Sequence, residues 1–497
     1  MHPPFEDIPR PSLWKRFLLG AALVVFATAS ATSVAAFREV DKIVAELRPG
    51  ENDIKLSPDI LAKTDPGKPQ TIMLLGSDKR PKNAKDGGAG MGGRSDTIIL
   101  VRLDPGKNAT ALMSLPRDLK VQIPGHGTDK INAAYELGGP KLTLQTVKNT
   151  TGLSINHVIN VDFQGFRRAI DALGCIYADI DRRYFNDSPG YAYIDVPAGY
   201  QKLCGEEALE YARFRHEDSD LVRGIRQQDL LRAAKQQVGV GKLVEDRSKL
   251  LRIFGKYTTS DAGLKERAEI LRLLKLAVFS VDQPIREVHF EGQITGGDAR
   301  TGSVSYVTAS QPTVKKLTRQ FLGVEESKGP RGELLPKDRR KRKRARKEQG
   351  DGNLEKAPGP GTEQAVQAIQ QGAGGKLPVY FPTVRVKNSL FAGPPRYYKI
   401  KAPGGQKHRS YRMVVKRGLV GEYYGIQGTT WKDPPILADK SERRKIGKRT
   451  FELHYDGDRL RLVAFRTKNA VYWVSNTLLQ TLSERQMLAI ARSTRLP

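Results

Sequence analysis

One short stretch of the chain concentrates side chains that could bind an anion and hold it for chemistry. Four are arginines, one is a carboxylate and two are amides: Arg213, Arg215, Asp220, Arg223, Arg226, Gln227 and Gln228. Arginine presents a planar donor fork that binds phosphate oxygens in pairs. Because closely packed arginines repel one another, they are stable only when they are solvated or when an anion lies among them. A solvated helix face and an anion site both fit this pattern.

Short polar motifs at the ends of predicted strands add carboxylates and further basic residues. They are GSDKR (76–80), GRSDT (93–97), PRD (116–118) and DKIN (129–132). In α/β folds, ligand sites gather at the carboxyl ends of strands. Asp78 and Asp96 are hard oxygen ligands that suit Mg²⁺ or Mn²⁺, and the candidate phosphate-binding residues are Arg80, Arg94, Arg117 and Lys130. Any single Asp/Arg pair could be a structural salt bridge, but together the motifs favour a diphosphate–metal site.

The elements that must position these residues alternate between strand and helix. Apolar, β-rich runs such as TIMLLG, DTIILVRL, ATALMSL and HVINVDF predict strands, and helices are predicted between and after them. This alternation predicts an α/β/α sandwich around a mixed central sheet over residues 71–325.

Two predicted helices, GEEALEYARF and GIRQQDLLRAAKQQV, flank the arginine cluster and are expected to be amphipathic. Residues two apart on a continuous helix point about 200° apart. Arg213 and Arg215 can therefore meet one diphosphate only if the first helix ends near Phe214 and the chain then turns extended. Arg223 and Gln227, four apart, share one face of the second helix.

The net charge of +29 is concentrated in the C-terminal part. Residues 71–240 carry 23 Lys/Arg against 20 Asp/Glu, whereas residues 376–497 carry 25 against 8. The arginine cluster is therefore not a by-product of global basicity. A basic C-terminal part attracts anionic polymers or membranes, and nucleic acid is the generic candidate.

Residues 17–37 form an uncharged stretch that is long enough to cross a bilayer as a helix. Arg10, Lys15 and Arg16 precede it, which predicts a single-pass protein of the cell membrane with residues 1–16 in the cytoplasm and the bulk outside. The alternative is a cleaved signal peptide. With its bulk outside, the protein is not expected to bind nucleic acid.

The rest of the chain divides by composition. Residues 38–70 are a connector, and residues 326–375 predict a basic, Gly/Pro-rich disordered linker. Residues 376–497 predict a small α+β domain with a hairpin turning at 456–458. Its aromatic residues Trp431, Tyr472 and Trp473 fit either core packing or sugar binding. Because the bulk of the chain is expected outside the cytoplasm, Cys175 and Cys204 could form a disulfide, and the alternative is two buried thiols.

From about Thr71 to Val238 the chain resembles the LytR–CpsA–Psr family. The motifs GSDKR, GRSDTIILV, SLPRDLKVQIPG, DKINAAYELGG, VDFQGF, GEEALEYARFR and RGIRQQ occur in family order. The resemblance implies a membrane-anchored transferase that moves a glycopolymer, as its anomeric phosphate, from a polyprenyl diphosphate carrier onto peptidoglycan. Membrane lipid is a further expected partner. The alternatives are a polyprenyl-diphosphate phosphatase and a membrane-bound regulatory or binding protein.

The resemblance also implies residue roles. Asp78 and Asp96 are expected to bind the Mg²⁺, and Asp220 to support an arginine network. The implied diphosphate-binding residues are Arg117, Arg213, Arg215, Arg223 and Gln227, with Arg80, Arg94 and Lys130 as weaker substrate contacts. The chain departs from the family pattern in a long Lys/Gly-rich loop after Arg80 and in its two cysteines. Actinobacterial members resemble it in the cysteines, which are bonded there.

Two features of the expected reaction stay open on sequence grounds. Asp118 and Asp96 are both candidates for the general base. The polyprenyl tail needs an apolar tunnel, and Ile159, Val161, Phe163 and Phe166 could line it or could simply be core.

Overall fold

The computed structural model describes part of the chain. The described residues are 54–56, 60–63, 65, 67–77, 95–107, 109–189, 192–214, 218–237, 249–250, 253, 256–266, 269, 272–273, 276, 285–296, 304–323, 353–418, 421–438, 442–456 and 459–497, with only the backbone of Asp96, Lys265 and Asp456. The predicted segments 1–16 and 17–37 lie outside these residues. Within the described ranges, no helix is both long and apolar enough to cross a membrane.

The strands of the first half are β1 Gln70–Ser77, β2 Ser95–Asp104, β3 Ala109–Leu115, β4 Lys120–Ile123, β5 Gly127–Lys130, β6 His157–Asp162, β7 Ile176–Ile180, β8 Tyr184–Asn186, β9 Ile194–Val196, β10 Gly199–Leu203, β11 Thr258–Ser260, β12 Ile285–Val288, β13 Gln293–Thr295 and β14 Tyr306–Thr308. Those of the second half are β15 Leu354–Lys356, β16 Phe381–Pro382, β17 Val384–Val386, β18 Leu390–Phe391, β19 Arg396–Lys401, β20 Lys407–Lys416, β21 Tyr423–Thr429, β22 Glu442–Ile446, β23 Arg449–Asp456, β24 Arg459–Arg466, β25 Val471–Ser475 and β26 Thr494–Arg495. The described helices are α1 Ala133–Thr151, α2 Phe163–Ala172, α3 Gly205–Arg213, α4 Asp220–Gln237, α5 Gln311–Phe321, α6 Pro358–Gln370 and α7 Glu484–Arg492.

A mixed six-stranded sheet forms the centre of the first domain. Its order is β11-β6-β1-β2-β3-β12. The pairs β1/β6 and β3/β12 are parallel, and the others are antiparallel. Buried residues of one sheet face, among them Met73 and Leu100, form a core with α1 and α5, while α4 crosses the opposite face. The prediction of a mixed central sheet between helices is confirmed.

Local sequence signals set the ends of several helices. Helix α1 is broken at Gly138 and Gly139, which have non-helical backbone angles. Helix α3 ends at Arg213, because Phe214 takes an extended conformation with ψ of 134°. The expected end of this helix at the arginine cluster is therefore confirmed.

A disulfide joins Cys175 to Cys204. It connects the start of β7 to the cap of α3, and β7 pairs with β10 in a small antiparallel ribbon. The bond is one of the two alternatives that the sequence allows, and it ties the helix that carries Arg213 to this ribbon.

We expect reduction of this disulfide to lower the free energy of unfolding of the first domain by about 3–4 kcal/mol, because the cross-link restricts the unfolded chain. Thermal melting with and without reductant measures the effect. Equal melting temperatures under the two conditions would contradict the expectation.

Residues 353–497 form a second domain around an eight-stranded sheet. Its order is β18-β20-β21-β25-β24-β23-β22, with β19 paired to β20. The predicted hairpin is confirmed, since β23 pairs with β24 up to Asp456 and Arg459. A capping box formed by Ser483 and Gln486 begins α7. Tyr472 and Trp473 are fully buried, so they are core residues rather than sugar platforms.

The prediction of a disordered linker up to residue 375 is wrong for residues 353–375. Strand β15 pairs with β17, and α6 packs on the second domain through Ala365 and Ala368. The glycine at position 361 is there for close packing and not for flexibility, because a Cβ at Gly361 would lie 2.6 Å from the Phe381 ring. Gly359, Gly361 and the two prolines of this segment thus belong to a helix that begins with Pro358 and approaches a strand closely.

The two domains pack against each other through a mixed apolar and polar interface. Tyr177 and Tyr200 of the first domain join a buried cluster with the second, whose members are Ile400, Ile436, Leu437, Leu462, Ala464, Val471 and Trp473. Arg412, with its side chain 1% exposed, lies 3.0 Å from Asp179. The Trp473 indole donates to the same carboxylate. The second domain is therefore an integral part of the folded molecule.

Buried His157 joins the central sheet to the segment that follows β11. Its ring nitrogens lie 3.2 Å from Asp261 and 3.2 Å from Glu269. Burial alone would lower the pKa of His157, but the two carboxylates outweigh burial and raise it above the usual 6.5. The protonated imidazole is therefore stabilised in the folded state.

The raised pKa of His157 predicts a pH dependence of stability. Its contribution is fully present below pH 6.5 and is lost as the pH rises through the higher pKa of the folded state. We expect the melting temperature of the native protein to exceed that of His157→Gln by more at pH 6 than at pH 9. A difference that stays constant over this range would contradict the assignment of charge to His157.

Candidate active site

The candidate residues converge on one edge of the central sheet. Strands β1, β3 and β6 end there, and β2 begins there. The PRD loop follows β3 directly. Helix α2 follows β6, and α4 crosses above the same edge. This placement agrees with the expectation that the strand ends gather the ligand-binding side chains.

The PRD loop is held rigidly by its backbone. Leu119 donates its amide to Pro116, and Asn132 donates to Arg117. On the other side, Val307 of β14 donates to the carbonyl of Asp118. An internal turn and two other segments therefore fix the backbone of the loop, so the point from which the Arg117 side chain projects is set before any ligand binds.

A network of two carboxylates and three cations lies at this edge. Asp220, the first residue of α4, contacts Arg223 at 2.6 Å and Arg117 at 3.9 Å. Asp118 contacts Lys130 at 3.0 Å and Arg117 at 3.8 Å. The backbone amide of Asp118 also donates to Asp220. The network carries one more positive than negative charge, and it links the PRD loop, the β5 end and α4.

Burial raises the pKa of Asp220. Arg223 acts in the opposite direction, whereas Asp118 adds to the rise. The Asp220 side chain is only 3% exposed, and its carboxylate faces Arg223 and Arg117. Its position between Arg117 and Arg223 fits the predicted role of supporting the arginines.

Gln227 and Arg213 extend the site along the sheet edge. The Gln227 amide donates to the Thr97 hydroxyl at 3.0 Å and to the carbonyl of Ala212 at 3.2 Å. Helix α4 comes this close because Gly224 lies over Ser114, where a Cβ would approach the serine hydroxyl to 3.0 Å. The exposed Arg213 guanidinium lies 4.2 Å from the centre of the Phe163 ring, at the start of α2.

Two members of the arginine cluster are structural, contrary to the idea that the whole cluster surrounds an anion. Arg226 is fully buried and binds Asp218 and the carbonyl of Phe214. Gln228 donates to the carbonyl of Val288. Arg226 thus holds the chain turn after α3. Helix α4 is also buried around most of its circumference, so the prediction that it is amphipathic is wrong.

Several predicted site residues lie outside the residues that the structure describes. These are Asp78, Arg80, Arg94 and Arg215, together with the side chain of Asp96. The connection that carries the first three leaves the sheet at Ser77 and returns at Ser95. Its two ends therefore lie at the edge that carries Arg117 and Gln227.

Sequence reasoning missed some residues of this region. Tyr306 lies beside the site, with the Lys130 ammonium 5.8 Å from its ring centre. Asp218 and Arg182, which contact each other at 2.8 Å, form the buried network around Arg226. No local motif marks these residues, since each comes from a different segment and meets its partner only in the folded chain.

The LytR_cpsA_psr family model matches residues 30–321. The chain belongs to this family. The matched range of the LytR_cpsA_psr domain includes the central sheet, the PRD loop and α4. The second domain, residues 353–497, lies beyond it.

Two relatives of this LytR_cpsA_psr protein are named as transferases. It is 36% identical over 208 residues to the polyisoprenyl-teichoic acid–peptidoglycan teichoic acid transferase TagU of Oceanobacillus iheyensis, which covers 40% of this chain and 61% of the relative. It is 29% identical over 326 residues to the transferase TagT of Bacillus subtilis, covering 63% of this chain and 95% of the relative. The crystal structure of B. subtilis TagV superposes with a TM-score of 0.42 at 28% identity, over 52% of this chain and 97% of that one.

Proposed function

We propose that this protein transfers a glycopolymer, as its anomeric phosphate, from a polyprenyl diphosphate carrier onto peptidoglycan. The observation that carries the proposal is the cationic network around Asp118 and Asp220, at the sheet edge where the family motifs meet. Arg117, Lys130 and Arg223 approach it from three different elements. A diphosphate esterified at both ends carries two negative charges, which cations from several elements can bind together.

The reaction needs electrostatic help more than covalent chemistry by the protein. A peptidoglycan hydroxyl attacks the sugar-side phosphorus, and the P–O bond to the lipid phosphate breaks. The polyprenyl monophosphate leaves with the bond's electron pair, and the hydroxyl proton passes to a base, for which Asp118 and Asp96 are the candidates. Arg117, Arg213, Arg215 and Arg223 stabilise the charge that develops on the phosphate oxygens.

We assign a Mg²⁺ ion to the same edge, held by Asp78 and Asp96. Ser77, which precedes Asp78 in the chain, pairs with Ser95, which precedes Asp96, and carboxylate oxygens suit this ion. Asp118 and Asp220 do not fit as its ligands, because Lys130 and Arg223 already contact them. When bound, the ion would neutralise diphosphate charge.

We propose that the polyprenyl chain lies against apolar side chains beside the diphosphate. Ile159, Val161, Phe163 and Phe166 are all half-buried. The Phe163 ring also lies under the Arg213 guanidinium. An isoprenoid against these residues would therefore leave its diphosphate within reach of Arg213. We further propose that residues 17–37 anchor the chain in the membrane that holds this lipid.

The phosphatase alternative uses the same residues with water as the acceptor, and the regulatory alternative needs no reaction. Incubating the full chain, in an uncharged detergent, with a polyprenyl diphosphate-linked sugar and a peptidoglycan fragment separates all three. We expect mass spectrometry to find the sugar phosphate on the fragment. Free sugar phosphate alone would favour the phosphatase, and unchanged donor would contradict any enzymatic role.

A further inference from the structure

The second domain carries an open basic cleft of about 370 Å³, and no residue of the candidate active site lines it. Four cations line it: Arg443, Lys448, Arg449 and Arg466. One lining carboxylate, Glu452, faces them, and Asp433 beside the cleft contacts Arg466 at 3.0 Å, so the excess is two positive charges. The volume lies within the usual range of ligand pockets.

Buried Glu452 orients two of the arginines. Its carboxylate lies 3.1 Å from Nε of Arg466 and 3.6 Å from Arg443. Arg466 also contacts Asp433, just outside the lining, at 3.0 Å. The two arginines are therefore positioned by the protein, and the unbalanced positive charge of the cleft comes mainly from Lys448 and Arg449. Each guanidinium has five N–H donors, more than these carboxylates occupy.

The other two cations complete the lining in different ways. Arg449 is held by the carbonyl and hydroxyl of Thr494, both at 2.9 Å, and its guanidinium lies 4.9 Å from the centre of the Phe465 ring. Lys448, exposed in the turn between β22 and β23, makes no ion pair with any residue that the structure describes. The hydroxyl of exposed Thr450 adds a further donor.

We propose that this cleft binds the phosphate groups of an anionic glycopolymer, at a second site separate from the diphosphate site. Planar guanidiniums held by a buried carboxylate match phosphate oxygens. A concave cleft suits a polymer repeat unit better than a membrane surface. The one apolar lining residue, Phe465, is buried, so the cleft offers no side chain that would enter a lipid layer.

The cleft is held in a fixed position relative to the diphosphate site, so one polymer could bind at both. Strands β22, β23 and β24 continue the sheet whose central strands pack on Tyr177 and Tyr200. The cleft is therefore fixed relative to the first domain. A polymer held at both sites gains affinity by effective concentration, without further contacts. The proposal rests on the proposed function only for the origin of the polymer, since binding is measured without turnover.

The test compares two double variants of the full chain that remove the same charge. Arg443→Gln/Lys448→Gln alters the cleft, and Lys376→Gln/Lys387→Gln alters exposed lysines elsewhere in the same domain. The probe is soluble poly(glycerol phosphate) at low salt, with binding followed by calorimetry in an uncharged detergent. We expect the cleft variant to bind about tenfold more weakly and the control variant within about twofold of the native protein.

Three results would overturn the proposal. Equal weakening by both variants would mean diffuse attraction to a basic domain. Binding of inorganic phosphate as tight as that of the polymer, per phosphate, would mean an adventitious ion only. Loss of binding to vesicles of phosphatidylcholine and phosphatidylglycerol (3:1) in the cleft variant, with polymer binding intact, would assign the cleft to a membrane surface. Melting temperatures check that both variants fold. Transfer of sugar phosphate from a short donor is measured separately, so a failure of the proposed function can be told from a failure of polymer binding at the cleft.

Discussion

Replacing Arg117 with alanine should lower the rate of glycopolymer transfer by about 30- to 1000-fold while the protein stays folded. Arg117 lies on a loop that an internal turn and two other segments hold in place, and its side chain is 14% exposed beside Asp118 and Asp220. Loss of one charged contact to a buried phosphate costs about 2–4 kcal/mol of transition-state stabilisation. We expect Arg215→Ala and Asp96→Ala to act similarly. Rates with a soluble lipid diphosphate and a peptidoglycan fragment measure the effect.

Two controls test whether the effect belongs to the site. Arg168 is an exposed arginine of α2 in the same domain, and Arg168→Ala should leave the rate within about twofold, as expected of a surface substitution. Lys-to-Ala changes across residues 337–347 should leave it within a few-fold. If the 337–347 changes abolished turnover and Arg117→Ala did not, the chemistry would not lie in the first domain.

The second large effect concerns stability at the domain interface. We expect Asp179→Ala to lower the free energy of unfolding by about 3–5 kcal/mol, because it leaves the Arg412 charge buried without its partner. Arg412 is enclosed tightly, since a Cβ at Gly425 would lie 2.2 Å from its guanidinium carbon. Denaturant unfolding of the full chain measures the loss.

A double variant distinguishes the burial of charge from the loss of packing. Asp179→Leu/Arg412→Met replaces both partners by apolar residues of similar size, and should recover most of the stability. If the double variant were no more stable than Asp179→Ala, packing around Asp179, rather than the ion pair, would hold the domains together.

Local sequence patterns predicted where the helices and strands of the site end and the chain turns. The end of α3 before Phe214 follows from the need to turn after Arg213, and the PRD loop follows from the end of a buried strand. The residues that local patterns misassigned depend on the second domain or on distant segments. Arg226 resembles its neighbour Arg223 in sequence, but Asp218 and Phe214 enclose it. Helix α6 has a Gly/Pro-rich start that resembles a linker in sequence. Only the folded structure shows that Gly361 is needed there, because the Phe381 ring leaves no room for a Cβ.

The most direct test of the central claim is to follow the phosphorus atoms of the donor. A polyprenyl diphosphate-linked sugar labelled with ³²P at the sugar-side phosphate is incubated with the full chain and a peptidoglycan fragment. Attack on that phosphorus predicts label on the peptidoglycan and release of unlabelled polyprenyl monophosphate, with both products much reduced in Arg117→Ala. Label that stays with the lipid, as polyprenyl diphosphate, would mean that the sugar C–O bond breaks instead and would contradict the account.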